Sequence, residues 1–175
     1  MVARKRDHVL DTIWNVPEDL WRDIQTILRA RYPTRPTGRP RTDLRRVLDG
    51  IIFRLRSGCQ WNRLPSTFGS DSTVHQWFQT WCRDGVMLEI WQILAQRCDD
   101  LGKVRWLWQS ADGAMCKARL GGDCIGPNPT DRGKNGTKRS IIVDESGGPL
   151  GIVISGANVH DTKLLQRTID SGCHR

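Results

Sequence analysis

The chain has 175 residues, with 27 Lys and Arg against 19 Asp and Glu and a formal net charge of +8. That is enough length for one domain or two small ones, and a basic balance that points to a polyanionic partner. Hydrophobic residues at 38% and eight Trp exclude a disordered chain, and no run of about 18 apolar residues exists to cross a membrane.

Residues 1–10 are basic but lack the apolar core of a signal peptide, so a cytoplasmic protein is expected. In residues 11–31, Pro17 suits a first helical turn, Glu18 and Asp19 sit at its positive end, and Leu20, Ile24, Ile27 and Leu28 repeat at helical spacing beside Trp21. Residues 32–40 (YPTRPTGRP) allow neither helix nor strand; they form a basic extended linker, either an arm along DNA or a plain connection. Thr42 is expected to cap the next helix, whose stripe of Leu44, Val47, Leu48, Ile51, Ile52 and Leu55 runs to Gly58, with Arg45, Arg46, Arg54 and Arg56 off the stripe. A tight connection leads to a second helix from Ser70 or Asp71, with Val74, Trp77, Phe78 and Trp81 on one face and Thr73, His75, Gln76 and Gln79 on the other. Two such helices fit a helix-turn-helix, as any helical hairpin would. A third helix over residues 86–101 takes Leu88, Trp91, Ile93, Leu94 and Cys98 as its buried stripe.

Residues 104–111 alternate in the manner of a half-buried or central strand that delivers Asp112 to its end, ahead of Gly113 and Ala114. A hard metal ion would fit beside such a carboxylate. Residues 119–137 form a loop, and residues 138–155 a hairpin that turns at Asp144-Glu145-Ser146-Gly147-Gly148, with Asp144 and Glu145 pointing away from the site. Residues 157–161 open a helix, with Asp161 at its start. Residues 29–56 carry nine Arg against two Asp, and residues 117–139 six basic residues against two Asp. These are DNA-facing segments or solvated basic faces. Arg132, Lys134, Lys138 and Arg139 are placed to contact phosphates, and Lys117 is either another such contact or a surface lysine. The G-x-x-x-x-G-K-[ST] spacing is not met, which rejects a nucleotide-binding loop. Six scattered Cys without a C-x-x-C pair argue against zinc.

Asp112-Gly113-Ala114-Met115, the stretch GPNPTDRGK at residues 126–134 and Gly156-Ala157-Asn158-Val159-His160-Asp161 together resemble bacterial insertion-sequence transposases of the Asp-Asp-Glu type, in the family usually called insertion sequence five. Gly58-Cys59-Gln60-Trp61, Leu64-Pro65, Phe68-Gly69, Trp77, Trp81 and Asp84-Gly85 are similar to that family's N-terminal helical domain. The resemblance implies an α+β protein: residues 1–102 a helix-turn-helix-like DNA-binding domain, and residues 103–175 the first strands of an incomplete ribonuclease-H-like core. It implies DNA transposition, with binding to the element's terminal inverted repeats and Mg²⁺-dependent strand cleavage and transfer. Asp112 matches the first catalytic and metal-binding carboxylate. Asp161 is the weaker metal candidate, because it starts a helix one strand too early.

The family's Asp-Lys-Gly-Tyr-type motif and its later Glu do not occur in the chain. The expectation is therefore a truncated or frame-disrupted transposase, or the first of two reading frames, with a second reading-frame product and a second copy of the chain as partners. Arg45 and Arg46 are expected on phosphates, and Thr73, His75 and Gln76 on base edges. The alternatives are a non-catalytic repressor that occupies the element's ends and a helix-turn-helix regulator.

Overall fold

The computed structural model describes residues 16–33, 37–38, 40–119 and 121–172. The chain is α+β, with helices α1 (Glu18–Arg31), α2 (Leu44–Ser57), α3 (Asp71–Arg83), α4 (Val86–Asp100) and α5 (Asp161–Asp170) and strands β1 (Gln109–Lys117), β2 (Gly126–Pro127), β3 (Asn135–Asp144) and β4 (Pro149–Gly156). It forms two compact units, Met1–Ile93 and Leu94–Arg175.

In the first unit, Trp21, Ile24 and Leu28 of α1, Val47, Leu48 and Ile51 of α2, and Val74 and Trp81 of α3 close around one core. Asp43, not Thr42, caps α2: its side chain accepts from the Arg45 amide at 3.0 Å, and Gly58 ends the helix at φ +68°. Between α2 and α3 the chain makes two short 3₁₀ turns, Trp61–Arg63 and Ser66–Phe68, so the connection is longer than the three or four residues of the tightest helix pairs. Gly50 lets α2 approach that connection, since a Cβ there would lie 2.9 Å from the Phe68 Cβ. Tyr32 fastens the end of α1: its hydroxyl donates to Asp84 Oδ2 at 2.7 Å and its ring meets Trp77 edge-on at 5.3 Å. The described part of the linker is pinned, because Arg41 donates to the carbonyls of Tyr32 and Pro33 and lies over the Trp77 ring. Arg35, Arg39 and the extreme N-terminus lie outside the described residues.

The third helix corrects its expected stripe. It starts directly after Gly85 (φ +78°) and turns Val86 and Ile90 into the core, leaving Leu88, Leu94 and Cys98 exposed.

In the second unit β3 is the middle strand, with β1 antiparallel on one side and β4 and the short β2 antiparallel on the other. Helix α5 covers one face. Lys138, Ser140, Ile142 and Asp144 of β3 point towards it and are buried, and Thr168 of α5 donates to Ser140 Oγ at 2.7 Å while Leu164 fills the space beside it. The opposite face carries Ile141, Val143, Ile152 and Ile154, and Ile152 remains 46% exposed.

The structure differs from the sequence reading at β1. The strand begins at Gln109 and runs to Lys117, so Asp112 lies within it rather than at its end, and Trp108 is exposed. Pairing cannot extend further back, because Gln109 faces Asp144, where β3 turns. Nor is the strand central: among the described residues only β3 pairs with it, and Asp112 to Lys117 are all exposed.

Candidate nucleic-acid interface

The basic residues of α2 divide into two roles. Arg45 is half-buried, pairs with Glu18, donates to the Val16 carbonyl at 3.1 Å and lies over the Trp21 ring. It joins α1 to α2. Arg46 is exposed at the next position. On α3, Gln76 is exposed, whereas Thr73 is half-buried and the His75 ring stacks on Trp61 with centroids 4.6 Å apart. The Arg54 guanidinium covers the same Trp61 at 5.3 Å, and its Nε is buried without a hydrogen-bond partner among the described residues. Sequence periodicity did not reveal this Arg54–Trp61–His75 stack, since Trp61 lies in the connection, where no helical repeat marks it.

The candidate residues of the second unit fall on two faces of the sheet. Gly113 pairs with Ser140, and a Cβ on it would meet Asp161 Oδ1 at 2.5 Å, so position 113 faces α5. Side chains alternate along a strand, which puts Asp112 on the open face beside Ile141 and Ile152. Arg139, exposed two places along β3 from Ile141, shares that open face. Asp112 Oδ1 accepts from the Gly113 amide at 2.7 Å.

Lys138 lies opposite. It is 7% exposed, its ammonium donates to the Val159 carbonyl at 2.8 Å, and it pairs with Asp161 at 3.1 Å. It braces the start of α5 and is not available to a DNA phosphate. Asp161 is the first residue of α5, while the cap is His160, whose Nδ1 accepts from the Thr162 amide at 3.3 Å. Among the described residues no three His, Cys, Asp or Glu side chains gather as a metal site.

Lys117, Arg119 and Lys134 line a concavity of about 510 Å³ between the end of β1 and the loop after β2. That loop closes on itself: Asn128 exchanges backbone hydrogen bonds with Gly133 and Lys134, and its buried side chain accepts from the Thr130 amide at 3.0 Å. Arg132 takes a left-handed φ of +54°, ahead of Gly133 at +71°, and its side chain is exposed. Lys117 pairs with Asp131 at 3.2 Å.

Asp144 is the polar residue whose place the sequence misjudged. It is 3% exposed and accepts from the amides of Arg105, Ser146 and Gly148 at 3.0, 3.0 and 2.7 Å. These bonds, the Arg105 amide foremost, hold its carboxyl below the usual range. Glu145 pairs with Arg105 at 3.6 Å. The two residues tie the hairpin turn to the segment ahead of β1.

Residues 16–91 match the family described as "Putative transposase of IS4/5 family". Over 53 residues the chain is 45% identical to "Putative transposase for insertion sequence element IS402" of Burkholderia cepacia, a match that covers 30% of the chain and 25% of that protein. Over 118 residues it is 26% identical to "Insertion element IS402 uncharacterized 16.2 kDa protein" of the same organism, covering 65% of the chain and 80% of the relative. A further relative is "Uncharacterized protein y4sN" of Sinorhizobium fredii, 32% identical over 92 residues, 51% of the chain and 67% of the relative. No solved structure matches the chain.

Proposed function

Because the chain belongs to the IS4/5 family of transposases, we propose that it binds the terminal inverted repeats of an insertion element in the cytoplasm. Its first unit works as a helix-turn-helix-like module, and its second supplies the opening strands of a ribonuclease-H-like core. The observation that carries this reading is where the uncommitted positive charge stands. Once Arg45 and Lys138 are assigned to internal contacts, Arg46, Arg132, Lys134 and Arg139 remain exposed on a chain of net charge +8. Of Thr73, His75 and Gln76 on α3, Gln76 is the exposed one and is suited to a base edge. A second copy of the chain and a second reading-frame product are the proposed protein partners.

Mg²⁺ chemistry belongs to the proposal at the family's scale, with Asp112 as the first metal ligand. The described residues do not fit a metal pair: Asp112 and Asp161 occupy opposite faces of the sheet, and Asp161 is held by Lys138. The separation of the two acids favours, for this polypeptide, the reading of a protein that occupies element ends without cutting them. Incubation of the 175-residue chain with terminal-repeat DNA and Mg²⁺ should give binding and no cleaved strand.

Gel-shift titration at two salt concentrations tests the binding. Affinity should fall steeply with salt, and Arg46→Ala should weaken binding to all sequences and reduce the salt slope by about 0.9. Arg45→Ala should instead lower the unfolding midpoint and leave the slope unchanged. Binding that ignores salt would refute the electrostatic reading.

A further inference from the structure

We propose that Asp131 is an internal stand-in for a DNA phosphate, holding Lys117 in the free protein and yielding it when a phosphodiester enters the adjacent concavity. The inference rests on the DNA-binding reading and adds a control to it. Three cations, Lys117, Arg119 and Lys134, line one depression of about 510 Å³, and Asp131 is the carboxylate among them. Asp131 Oδ2 lies 3.2 Å from the Lys117 ammonium. That oxygen is buried, yet no well-formed hydrogen bond reaches it among the described residues. The carboxylate thus neutralises Lys117 without satisfying its directional donors, and the lysine remains 56% exposed.

An ion pair whose lysine is 56% exposed to solvent is weakened by screening. A phosphodiester seated between Arg119 and Lys134 offers Lys117 the same charge with better-directed oxygens. The loop that carries Asp131 is closed by the Asn128 hydrogen bonds, and the left-handed Arg132 and Gly133 follow directly after it. The competing carboxylate is therefore held at the rim by the backbone and needs only a side-chain rotation to release the lysine. No ion pair engages Arg119 or Lys134 among the described residues, so these two receive the phosphate first and Lys117 completes the contact.

The test is fluorescence anisotropy of the full chain on a labelled random-sequence duplex across a salt series. Asp131→Asn should tighten binding several-fold and leave the salt slope nearly unchanged, because Lys117 completes one phosphate contact in both proteins. In a Lys117→Gln background the same substitution should give no gain, and Asp123→Asn, which removes an exposed acid from the segment ahead of β2, should change little. Lys117→Gln alone should cost the native chain less than Lys134→Gln, a comparison that does not depend on the fold of any Asp131 variant. A gain from Asp131→Asn that persists without Lys117, or an equal gain from Asp123→Asn, would reduce the effect to net charge and overturn the proposal. So would native binding that Asp131→Asn leaves unaltered. A native chain that does not bind the duplex at all would remove the DNA-binding reading itself, and this inference with it.

Discussion

Lys138 sits in a run of basic residues, and composition alone assigns it to the DNA surface. The fold instead places it under α5, paired with Asp161 and bonded to the Val159 carbonyl. The sequence could not separate the two cases because β3 is mixed on both faces: Lys138, Ser140 and Ile142 alternate with Arg139, Ile141 and Val143, so period-two patterning does not say which set is covered. Gly113 belongs to the same arrangement, since a methyl group there would push the Asp161 carboxylate off Lys138. Gly113→Ala and Asp161→Ala should each cost roughly 1–2 kcal/mol, modest because Asp161 is largely exposed. The double variant should cost little more than either alone, because both remove one interaction. Urea unfolding of the four proteins measures this, and simple additivity would mean that Gly113 and Asp161 act independently. Lys138→Ala should destabilise more, by about 2–3 kcal/mol, with random-duplex affinity unchanged.

The β3–β4 hairpin is the element most clearly written in the sequence, because its Asp-Glu-Ser-Gly-Gly turn separates two β-branched runs. What the sequence could not show is that Asp144 works inward. A turn acid is usually solvated, and only the approach of Arg105, thirty-nine positions earlier, makes it a buried three-amide acceptor. Asp144→Ala should therefore cost about 3 kcal/mol and loosen the turn together with the residues ahead of β1, a loss readable in the unfolding midpoint. Its pH dependence has a definite sign. The folded carboxyl is depressed, so its contribution is present above the ordinary carboxylate range and is lost as pH falls through the lower folded value. Asp144→Asn should accordingly flatten part of the acid limb of stability. The helices α1, α2 and α3 were legible from their apolar spacing and from Gly58. The buried faces of α4 and β1 were not, because hydrophobic spacing records which side chains could be buried, and among the described residues Leu88 and Trp108 both stay exposed.

On the scale of the whole molecule, a net charge of +8 overstates the cationic surface, since Arg45 and Lys138 serve the interior while Arg46 and Lys134 do not. Alkaline stability follows from one group that can be watched directly, because Tyr32 is the chain's single tyrosine. Burial, then its bond to Asp84, pushes its pKa to about 12 from 10.0. A raised folded value means that stability is retained below 10.0 and lost as pH rises towards about 12. Ultraviolet absorbance should show the phenol ionising late, together with unfolding, and a midpoint near 10.0 in the folded chain would contradict the Tyr32–Asp84 bond. The edge position of β1 has a consequence of another kind. Ala118 donates its amide to Asn135 across the sheet, so by the strand's period of two the amides of Ser110, Asp112, Ala114 and Cys116 also face β3, while those of Ala111, Gly113, Met115 and Lys117 face outward. Deuterium should enter this strand in alternation, quickly at the outward amides and slowly at the inward ones. Gly113 should be the slow exception among the outward set, because Asp112 holds its proton, and Asp112→Ala should return it to the fast class.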